Sequence, residues 1–330
     1  AQGGHAGGRG DAVMANKKVV IVTGSDLAEQ AMEMLQGFEV VFAGRQPTED
    51  GLIALCEQHN PVAILVRYGK ITAKIMDAAP ALKVISKHGS GIDVIDQAAA
   101  VERNIAVRSA PGANAAAVAE HTWALILACA KSVVSLDTRL REGHWDKATH
   151  KSIELEGLTL GLIGLGAIGS RVANMGHVFG MRVLAYDPYA KSMPSVCERT
   201  DTLTDLLSRS DVISLHCPLT DENRGMINTE TLAHVKRNAI LVNTARGGLI
   251  HDRSLFAALK DGTLHSAGLD SFTSEPLTAP HIWQGVDNII ISPHIGGVSA
   301  ASYIKMGTVA ARNIVDVLNT ADERTLTVSR

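Results

Sequence analysis

Short apolar runs alternate with helical patterns along almost the whole chain, and this rhythm limits the possible folds more than any other feature. The runs are rich in valine and isoleucine, as in KVVIVTG at 18–24 and PVAILVRYG at 61–69. Between them lie helical patterns such as DLAEQAMEMLQG at 26–37. Strands that are apolar on both faces and are linked by helices belong to parallel sheets covered on both sides. The sequence therefore predicts an α/β fold.

The rhythm runs through the chain in two series, with a helical segment at 114–143 between them. The second series starts with LTLGLIG at 158–164 and ends with NIIISPH at 288–294. A chain of 330 residues has room for two domains of roughly 150 residues each. We therefore expect two doubly wound parallel-sheet domains.

Composition narrows the classes of protein and of partner. The net charge of −3 with no basic cluster argues against nucleic acid and against a membrane surface as partners, and no apolar run is long enough to span a bilayer. The four cysteines are scattered without a CxxC pair. That favours a cytoplasmic, reduced protein with neither disulfides nor a metal site. Residues 1–16 are Gly-rich and unpatterned, which predicts a disordered leader.

A glycine motif opens the second series. GLIGLGAIGS at 161–170 carries Gly164, Gly166 and Gly169 in the pattern GxGxxG, between a strand and a helix. The first glycine permits a tight turn, the second lets a pyrophosphate approach the backbone, and the third lets helix and strand pack closely. Asp187 ends the next strand, 18 residues after Gly169. A carboxylate there accepts hydrogen bonds from ribose hydroxyls and repels a 2′-phosphate, so the motif predicts a site for NAD rather than NADP.

Three chemically active side chains follow strands of the second series. Arg246 follows NAILVNTA, Glu275 lies just beyond SAGLDSF, and His294 follows NIIISP. Each alone has an ordinary structural explanation, as a turn residue or a surface charge. The carboxyl ends of parallel strands, however, share the edge of the sheet where ligands bind. Together, beside a dinucleotide loop, the three residues predict a catalytic site.

These side chains suit hydride transfer coupled to proton transfer. His294 can give a proton to a carbonyl oxygen or take it back from a hydroxyl. Glu275, if bonded to the other ring nitrogen, would raise the pKa of His294. Arg246 offers a planar fork to a substrate carboxylate and stabilises charge on the carbonyl oxygen. The substrate that fits this set is a 2-oxo or 2-hydroxy acid.

Over roughly residues 17–320 the sequence resembles the D-isomer-specific 2-hydroxyacid dehydrogenases, most closely their D-3-phosphoglycerate dehydrogenase and hydroxypyruvate reductase branch. The motifs that carry this resemblance are GLGAIG with Asp187, HCPLT at 216–220, NTARGG at 243–248, LDSFTSEP at 269–276 and SPHIGG at 292–297.

The resemblance implies an architecture and a set of NAD contacts. A flavodoxin-like substrate domain would comprise residues 17–109 plus 299–330, and a Rossmann NAD-binding domain residues 110–298. A homodimer would form through the NAD-binding domain. Arg246, Glu275 and His294 would be the catalytic set. Further cofactor contacts would fall on Ala167, Ile168, Asp187, Cys217, Pro218, Thr244, Ala245, Asp270, His294 and Gly297.

The resemblance also implies substrate contacts. In KHGSGID at 87–93, the backbone N–H groups of Ser90 and Gly91 would bind the substrate carboxylate. Arg67 stands where phosphoglycerate-type members carry an arginine for an anionic tail. His88 and His121 are further histidines that could line the cleft.

The function expected from the sequence is NAD-dependent interconversion of a D-2-hydroxy acid and its 2-oxo acid, of the 3-phosphoglycerate or the hydroxypyruvate/glyoxylate type. An NAD(H)-sensing, corepressor-like binding protein is the alternative from another class, because such proteins can keep the same three side chains. Formate oxidation on the same scaffold would need a tailored pocket that the sequence does not reveal.

Overall fold

The computed structural model describes residues 17–328, and their side chains up to residue 320. The predicted leader at 1–16 lies outside the described residues. The chain divides into two compact units, one running to Pro111 and resuming at Ile304, the other comprising Gly112–Tyr303. The boundaries placed from the sequence, after residues 109 and 298, precede these by two and five residues. The assignment of the units to substrate and cofactor stays a prediction at this point.

The first unit is built on a five-stranded parallel sheet with the order β2-β1-β3-β4-β5. This is the flavodoxin-like order of doubly wound folds. Its strands are β1 (Val19–Val22), β2 (Glu39–Phe42), β3 (Ala63–Val66), β4 (Val84–Lys87) and β5 (Ala106–Arg108). Its helices are α1 (Glu29–Met34), α2 (Glu49–His59), α3 (Ala73–Asp77), α4 (Gln97–Glu102) and α11 (Ala300–Val328).

Local chemistry explains where these elements begin and how the last helix is held. Thr48 caps α2 by accepting a hydrogen bond from the N–H of Gly51 at 3.1 Å, and Asp96 caps α4 in the same way. Such caps satisfy N–H groups that have no partner inside the helix. The buried Ser86 of β4 donates to the carbonyl of Ala310 at 2.9 Å. The end of the chain is thereby fixed to a sheet made from its beginning.

The second unit is built on a seven-stranded parallel sheet with the order β12-β11-β10-β9-β6-β7-β8. The chain starts at β6 in the middle, goes out to one side, and returns to build the other side from β9. A crevice for ligands forms at such a switch point in Rossmann-type sheets. The strands are β6 (Thr159–Ile163), β7 (Arg182–Tyr186), β8 (Cys197–Arg199), β9 (Val212–Leu215), β10 (Ala239–Asn243), β11 (Leu264–Leu269) and β12 (Ile289–Ile291). The helices are α5 (Ala115–Lys131), α6 (Val133–Arg141), α7 (Ala167–Val178), α8 (Leu203–Arg209), α9 (Thr229–Leu232) and α10 (Asp252–Lys260). Both sheets confirm the predicted doubly wound α/β class.

The single helical segment predicted at 114–143 is wrong in one respect, because it is two helices. Ser132 adopts a left-handed conformation with φ of 54° and separates α5 from α6. α5 buries nine side chains, whereas α6 buries none. Among the described residues, no single helix is long and apolar enough to cross a membrane. The pair α5 and α6 reaches that length and apolarity only jointly, across a bend of 59°.

Candidate active site

The glycine loop between β6 and α7 has the shape that its three glycines predict. Gly164 has φ of 97°, and a Cβ there would lie 2.7 Å from the backbone of His216 and Cys217. A Cβ on Gly169 would lie 2.2 Å from the carbonyl oxygen of Gly164. A Cβ on Gly166 would meet open space. Gly164 and Gly169 thus allow close packing within the loop and against the segment at His216, and Gly166 leaves the surface over the loop open.

The residues around this loop fit a dinucleotide. α7 begins at Ala167, directly before Ile168, and its N-cap Gly166 has no side chain to occupy the first N–H groups. A helix start of this kind attracts a pyrophosphate. Asp187, at the end of β7, accepts a hydrogen bond from the N–H of Leu165 at 2.8 Å. Its other oxygen accepts from two N–H groups of its own turn at 2.9 and 3.0 Å. The carboxylate is therefore fixed beside the glycine loop, where a ribose hydroxyl can reach it.

The HCPLT segment after β9 closes the loop with uncharged groups. His216 Nε2 lies 2.8 Å from the hydroxyl of Ser214, and burial lowers the pKa of His216 to about 3. Burial likewise raises the pKa of the Cys217 thiol to about 11. At neutral pH both side chains are uncharged, so Cys217 is not a reactive thiolate. Pro218, the next residue, is exposed.

The turn after β10 presents Arg246. Asn243 is buried and accepts from the N–H of Ala245 at 2.9 Å while donating to the carbonyl of Arg246 at 2.9 Å. A Cβ on Gly247 would lie 1.9 Å from the backbone of Phe272, so the turns after β10 and β11 are in contact. The hydroxyl of Thr244 lies 2.8 Å from another hydroxyl, that of Thr122 on α5. Arg246 therefore stands on a turn that is tied to both neighbouring elements.

His294 and Glu275 form a hydrogen-bonded pair. Nδ1 of His294 lies 2.7 Å from Oε2 of Glu275, and Oε1 of Glu275 accepts from the N–H of Phe272 at 2.9 Å. Because a carboxylate only accepts, Nδ1 carries the hydrogen. The second ring nitrogen, Nε2, is consequently the atom left to exchange a proton with a substrate.

Each member of this pair favours the charged form of the other. The hydrogen bond to Glu275 and its charge raise the pKa of His294, although partial burial and the charge of Arg246 oppose them. Burial would raise the pKa of Glu275, but the bonds from His294 and Phe272, with the charges of His294 and Arg246, outweigh it and lower that pKa. Arg246 is close enough for its charge to act on both groups. The site therefore brings an imidazole, a carboxylate and a guanidinium together.

Asp270, at the end of β11, holds the loop that carries His294. It is only 2% exposed. One oxygen accepts from the hydroxyl of Ser292 at 2.6 Å and from the N–H of Ile295 at 3.0 Å, and the other accepts from the N–H of Gly296 at 2.7 Å. The structure thus shows Asp270 engaged with the protein's own loop; its predicted contact to the cofactor stays a prediction.

Three of the residues predicted to contact the substrate, Arg67, Ser90 and Gly91, lie in the first unit. Arg67 donates from Nη1 to the carbonyl and the carboxylate of Asp26, at 2.6 and 2.5 Å, and its side chain is 10% exposed. Ser90 and Gly91 lie in the turn after β4, with Ser90 exposed. His88 is buried beside α11, with Nε2 3.5 Å from where a Cβ on Gly307 would lie. The substrate roles of Arg67, Ser90 and Gly91 stay predictions.

Three residues that shape the site were not assigned these contacts from the sequence. Asn243 and Ser292 lie within the NTARGG and SPHIGG motifs. Their closeness in sequence to Arg246 and His294 was the signal that could have identified them as residues of the site. His121 was considered only as a residue of the cleft; it lies on α5 with Nε2 2.9 Å from the hydroxyl of Ser292 and 3.4 Å from Asp270. Within the described residues, no group of three or more His, Cys, Asp or Glu side chains could hold a metal ion.

Known proteins share these features. Residues 123–296 match the family model described as D-isomer specific 2-hydroxyacid dehydrogenase, NAD binding domain. The chain is 39% identical to the D-3-phosphoglycerate dehydrogenase of Methanocaldococcus jannaschii over 91% of its own length and 57% of that protein. It is 42% identical to the hydroxypyruvate reductase of Thermotoga maritima over 72% of this chain and 78% of that one. This chain thus spans a little more than half of the first relative.

One solved structure with a similar fold is bound to NAD⁺. The NAD⁺-bound 3-phosphoglycerate dehydrogenase of Entamoeba histolytica superposes with a TM-score of 0.77 at 27% identity, over 93% of this chain and 97% of that one. The second unit is accordingly a Rossmann NAD-binding domain, as the glycine loop predicted. The match over 123–296, with the relatives above, shows that this chain belongs to the D-isomer-specific 2-hydroxyacid dehydrogenase family.

Proposed function

We propose that this protein is an NAD-dependent oxidoreductase that interconverts a D-2-hydroxy acid and its 2-oxo acid. The observation that carries the proposal is the 2.7 Å bond between His294 and Glu275. It stands at the carboxyl edge of the sheet whose glycine loop fits NAD, with Arg246 close enough to affect both groups electrostatically.

The chain's own residues would divide the work as follows. NAD, when bound, accepts or supplies the hydride. His294, charged and held through Nδ1, gives a proton from Nε2 to the carbonyl oxygen during reduction and removes it from the hydroxyl during oxidation. Arg246 binds the carboxylate of the acid and stabilises negative charge on the reacting oxygen. Glu275 keeps the ring in its productive tautomer and orientation.

The test is NADH oxidation followed at 340 nm with phosphohydroxypyruvate, hydroxypyruvate, glyoxylate and pyruvate. We expect turnover of at least one acid, and its loss in both His294→Ala and Arg246→Ala. Glu222→Gln, an exposed carboxylate of the same unit, is the matched control and keeps wild-type rates. Tight NADH binding by fluorescence with no turnover of any acid would refute the proposal and leave a sensor of NAD(H) as the function.

The choice between a 3-phosphoglycerate-type acid and hydroxypyruvate or glyoxylate rests on Arg67. Its guanidinium is bonded to Asp26, so a substrate phosphate at this side chain would have to share it with a carboxylate. If Arg67 binds an anionic tail, Arg67→Ala raises KM for phosphohydroxypyruvate and leaves KM for glyoxylate unchanged. Asp26→Asn lowers KM for the phosphorylated acid in the same case. Equal effects on both acids would assign Arg67 to the fold alone.

We further propose that the protein is a homodimer associated through its second unit. α6 buries no side chain, and Val133, Val134, Leu140 and Trp145 in and after it are each more than half exposed. Apolar side chains concentrated on one segment mark an interaction surface. Leu140→Glu with Trp145→Glu should halve the mass measured by light scattering, whereas Val101→Glu, an equally exposed position in the first unit, should not.

We also propose a reducing, cytoplasmic location. It is supported by four free cysteines, two of them buried, because oxidising compartments favour disulfide pairing. Fractionation of cells that express a tagged copy tests it.

A further inference from the structure

A second histidine contacts the loop that carries His294. His121, on α5, places Nε2 2.9 Å from the hydroxyl of Ser292 and 3.4 Å from Oδ1 of Asp270. His121 and Ser292 are 171 positions apart in the chain. Neither His121 nor Ser292 takes part in the proton transfer described above. The contact therefore calls for a role of its own.

The direction of the hydrogen bonds can be worked out from the donors available. Ser292 has one hydroxyl hydrogen, and Asp270 receives it at 2.6 Å. The oxygen of Ser292 is thus left as an acceptor, so Nε2 of His121 must carry a hydrogen and donate it. The result is a chain of donors from His121 to Ser292 to Asp270, which fixes the orientation of a carboxylate that is almost fully buried.

The loop that Asp270 binds contains a residue in an unfavourable backbone conformation. His294 has φ of 54°, in the left-handed region, which is unfavourable for a residue with a Cβ. Its own N–H donates to the carbonyl of Ser292 at 3.0 Å. The two residues after it are tied to Asp270 through their N–H groups. Such a conformation is kept only when the surrounding contacts hold the residue in it.

We propose that His121 is a positioning residue: through Ser292 and Asp270 it sets the left-handed turn that presents the His294 ring to Glu275. The inference rests on the proposed dehydrogenase function, in which His294 must meet the substrate at a fixed distance. A reacting group misplaced by about 1 Å can cost about a hundredfold in rate. His121 touches neither the His294 ring nor Glu275 among the contacts described above, so it acts through the turn.

The kinetic test compares His121→Leu, which cannot donate, with His121→Gln, which can. We expect His121→Leu to lower kcat by about tenfold to a hundredfold, with KM for the acid and the Kd for NADH changed by less than about threefold. His121→Gln should restore most of kcat. His265→Leu, a histidine of β11 without these contacts, is the matched control. Thermal unfolding of each variant confirms that it is folded.

Ser292→Ala removes only one oxygen and serves if His121→Leu does not fold. It should lower kcat to a similar extent, and the double variant should be no slower than the slower single one, because both changes break one chain of bonds. The proposal is overturned if His121→Leu keeps kcat within about threefold of wild type. It is equally overturned if glutamine restores nothing, or if the loss appears in the Kd for NADH instead.

A second readout separates this inference from the proposed function. In protein labelled with ¹⁵N-histidine, the ring nitrogens of His294 report its tautomer and its bond to Glu275 without any substrate. His294→Asn identifies the signal. We expect the Nδ1–H signal of His294 to weaken or shift in His121→Leu and to return in His121→Gln. An unchanged signal overturns the positioning role even if the enzyme is active; a changed one supports it even if no tested acid is turned over.

Discussion

Replacing Glu275 with glutamine should move the pH dependence of the reaction to lower pH. Glu275 raises the pKa of His294 by a hydrogen bond and by its charge. Glutamine keeps the size and one oxygen but removes the charge. Reduction of an oxoacid needs the imidazolium, so its kcat/KM is flat below the pKa of His294 and falls above it. The alkaline limb should therefore appear at lower pH in Glu275→Gln.

The size of the shift follows from the geometry of the pair. A hydrogen bond to a charged partner contributes about 1.5–3 kcal/mol. The His294 and Glu275 side chains are 45% and 35% exposed, and solvent screening at such exposure roughly halves the value. The remaining ~0.75–1.5 kcal/mol corresponds to about half a pH unit to one unit, since one unit is about 1.36 kcal/mol. The charge of Asp270, which also raises the pKa of His294, remains in the variant, and the charge of Arg246 continues to lower that pKa.

The assay is kcat/KM for reduction from pH 5 to pH 10 at saturating NADH, with Glu222→Gln as the control for loss of a carboxylate. Oxidation of the hydroxy acid, which needs the neutral ring, provides an internal check of sign. Its rate rises with pH through the same pKa, so its acid limb should also move to lower pH. If both limbs of Glu275→Gln stay within about 0.3 units of wild type, then Glu275 does not set the pKa of His294 and this reasoning fails.

Three further changes test other parts of the site. Arg246→Lys keeps the charge but loses the planar fork, so KM for the acid should rise by about tenfold in steady-state assays; an unchanged KM would remove Arg246 from the carboxylate site. Asp187→Ser should raise the ratio of kcat/KM for NADPH over NADH by at least about tenfold, because it removes the carboxylate that repels a 2′-phosphate. Arg199, which donates to the carbonyl of residue 187 at 3.3 Å, stays nearby. An unchanged ratio would contradict the role of Asp187. Gly166→Ala should weaken NADH binding in fluorescence titrations with little change in Tm. Gly169→Ala should lower Tm by several degrees, because only the Cβ at Gly169 would meet protein atoms. A larger loss of Tm in Gly166→Ala than in Gly169→Ala would contradict the loop geometry.

The elements that the sequence predicted well are those with local signals. Apolar runs with helical patterns between them predict parallel strands, and the spacing of GxGxxG after a strand predicts the phosphate loop. The break at Ser132 was missed because Ser is an ordinary residue in a helix, and nothing local marks the φ of 54°. β8 was missed because CER is a three-residue edge strand with no apolar run. Its pairing with β7 decides that it is a strand.

The grouping of the three proposed catalytic residues was predictable from topology rather than from distance along the chain. Arg246, Glu275 and His294 each follow a different strand, and the parallel order brings those strand ends to one edge. What topology does not give is the partner of each side chain. Arg67 bonds to Asp26 across 41 positions and Ser292 contacts His121 across 171. Such pairs depend on how helices and turns pack, and no local pattern encodes them.

Gly296 and Gly297, which follow His294, provide space rather than backbone freedom. In the structure neither glycine has a positive φ; the left-handed residue is His294 itself. A Cβ on Gly296 would lie 2.9 Å from the carboxylate of Asp270, and one on Gly297 would lie 2.5 Å from the side chain of Asn114. The glycines therefore make room for the side chains of Asp270 and Asn114, and the left-handed residue of the turn is the histidine whose ring bonds to Glu275.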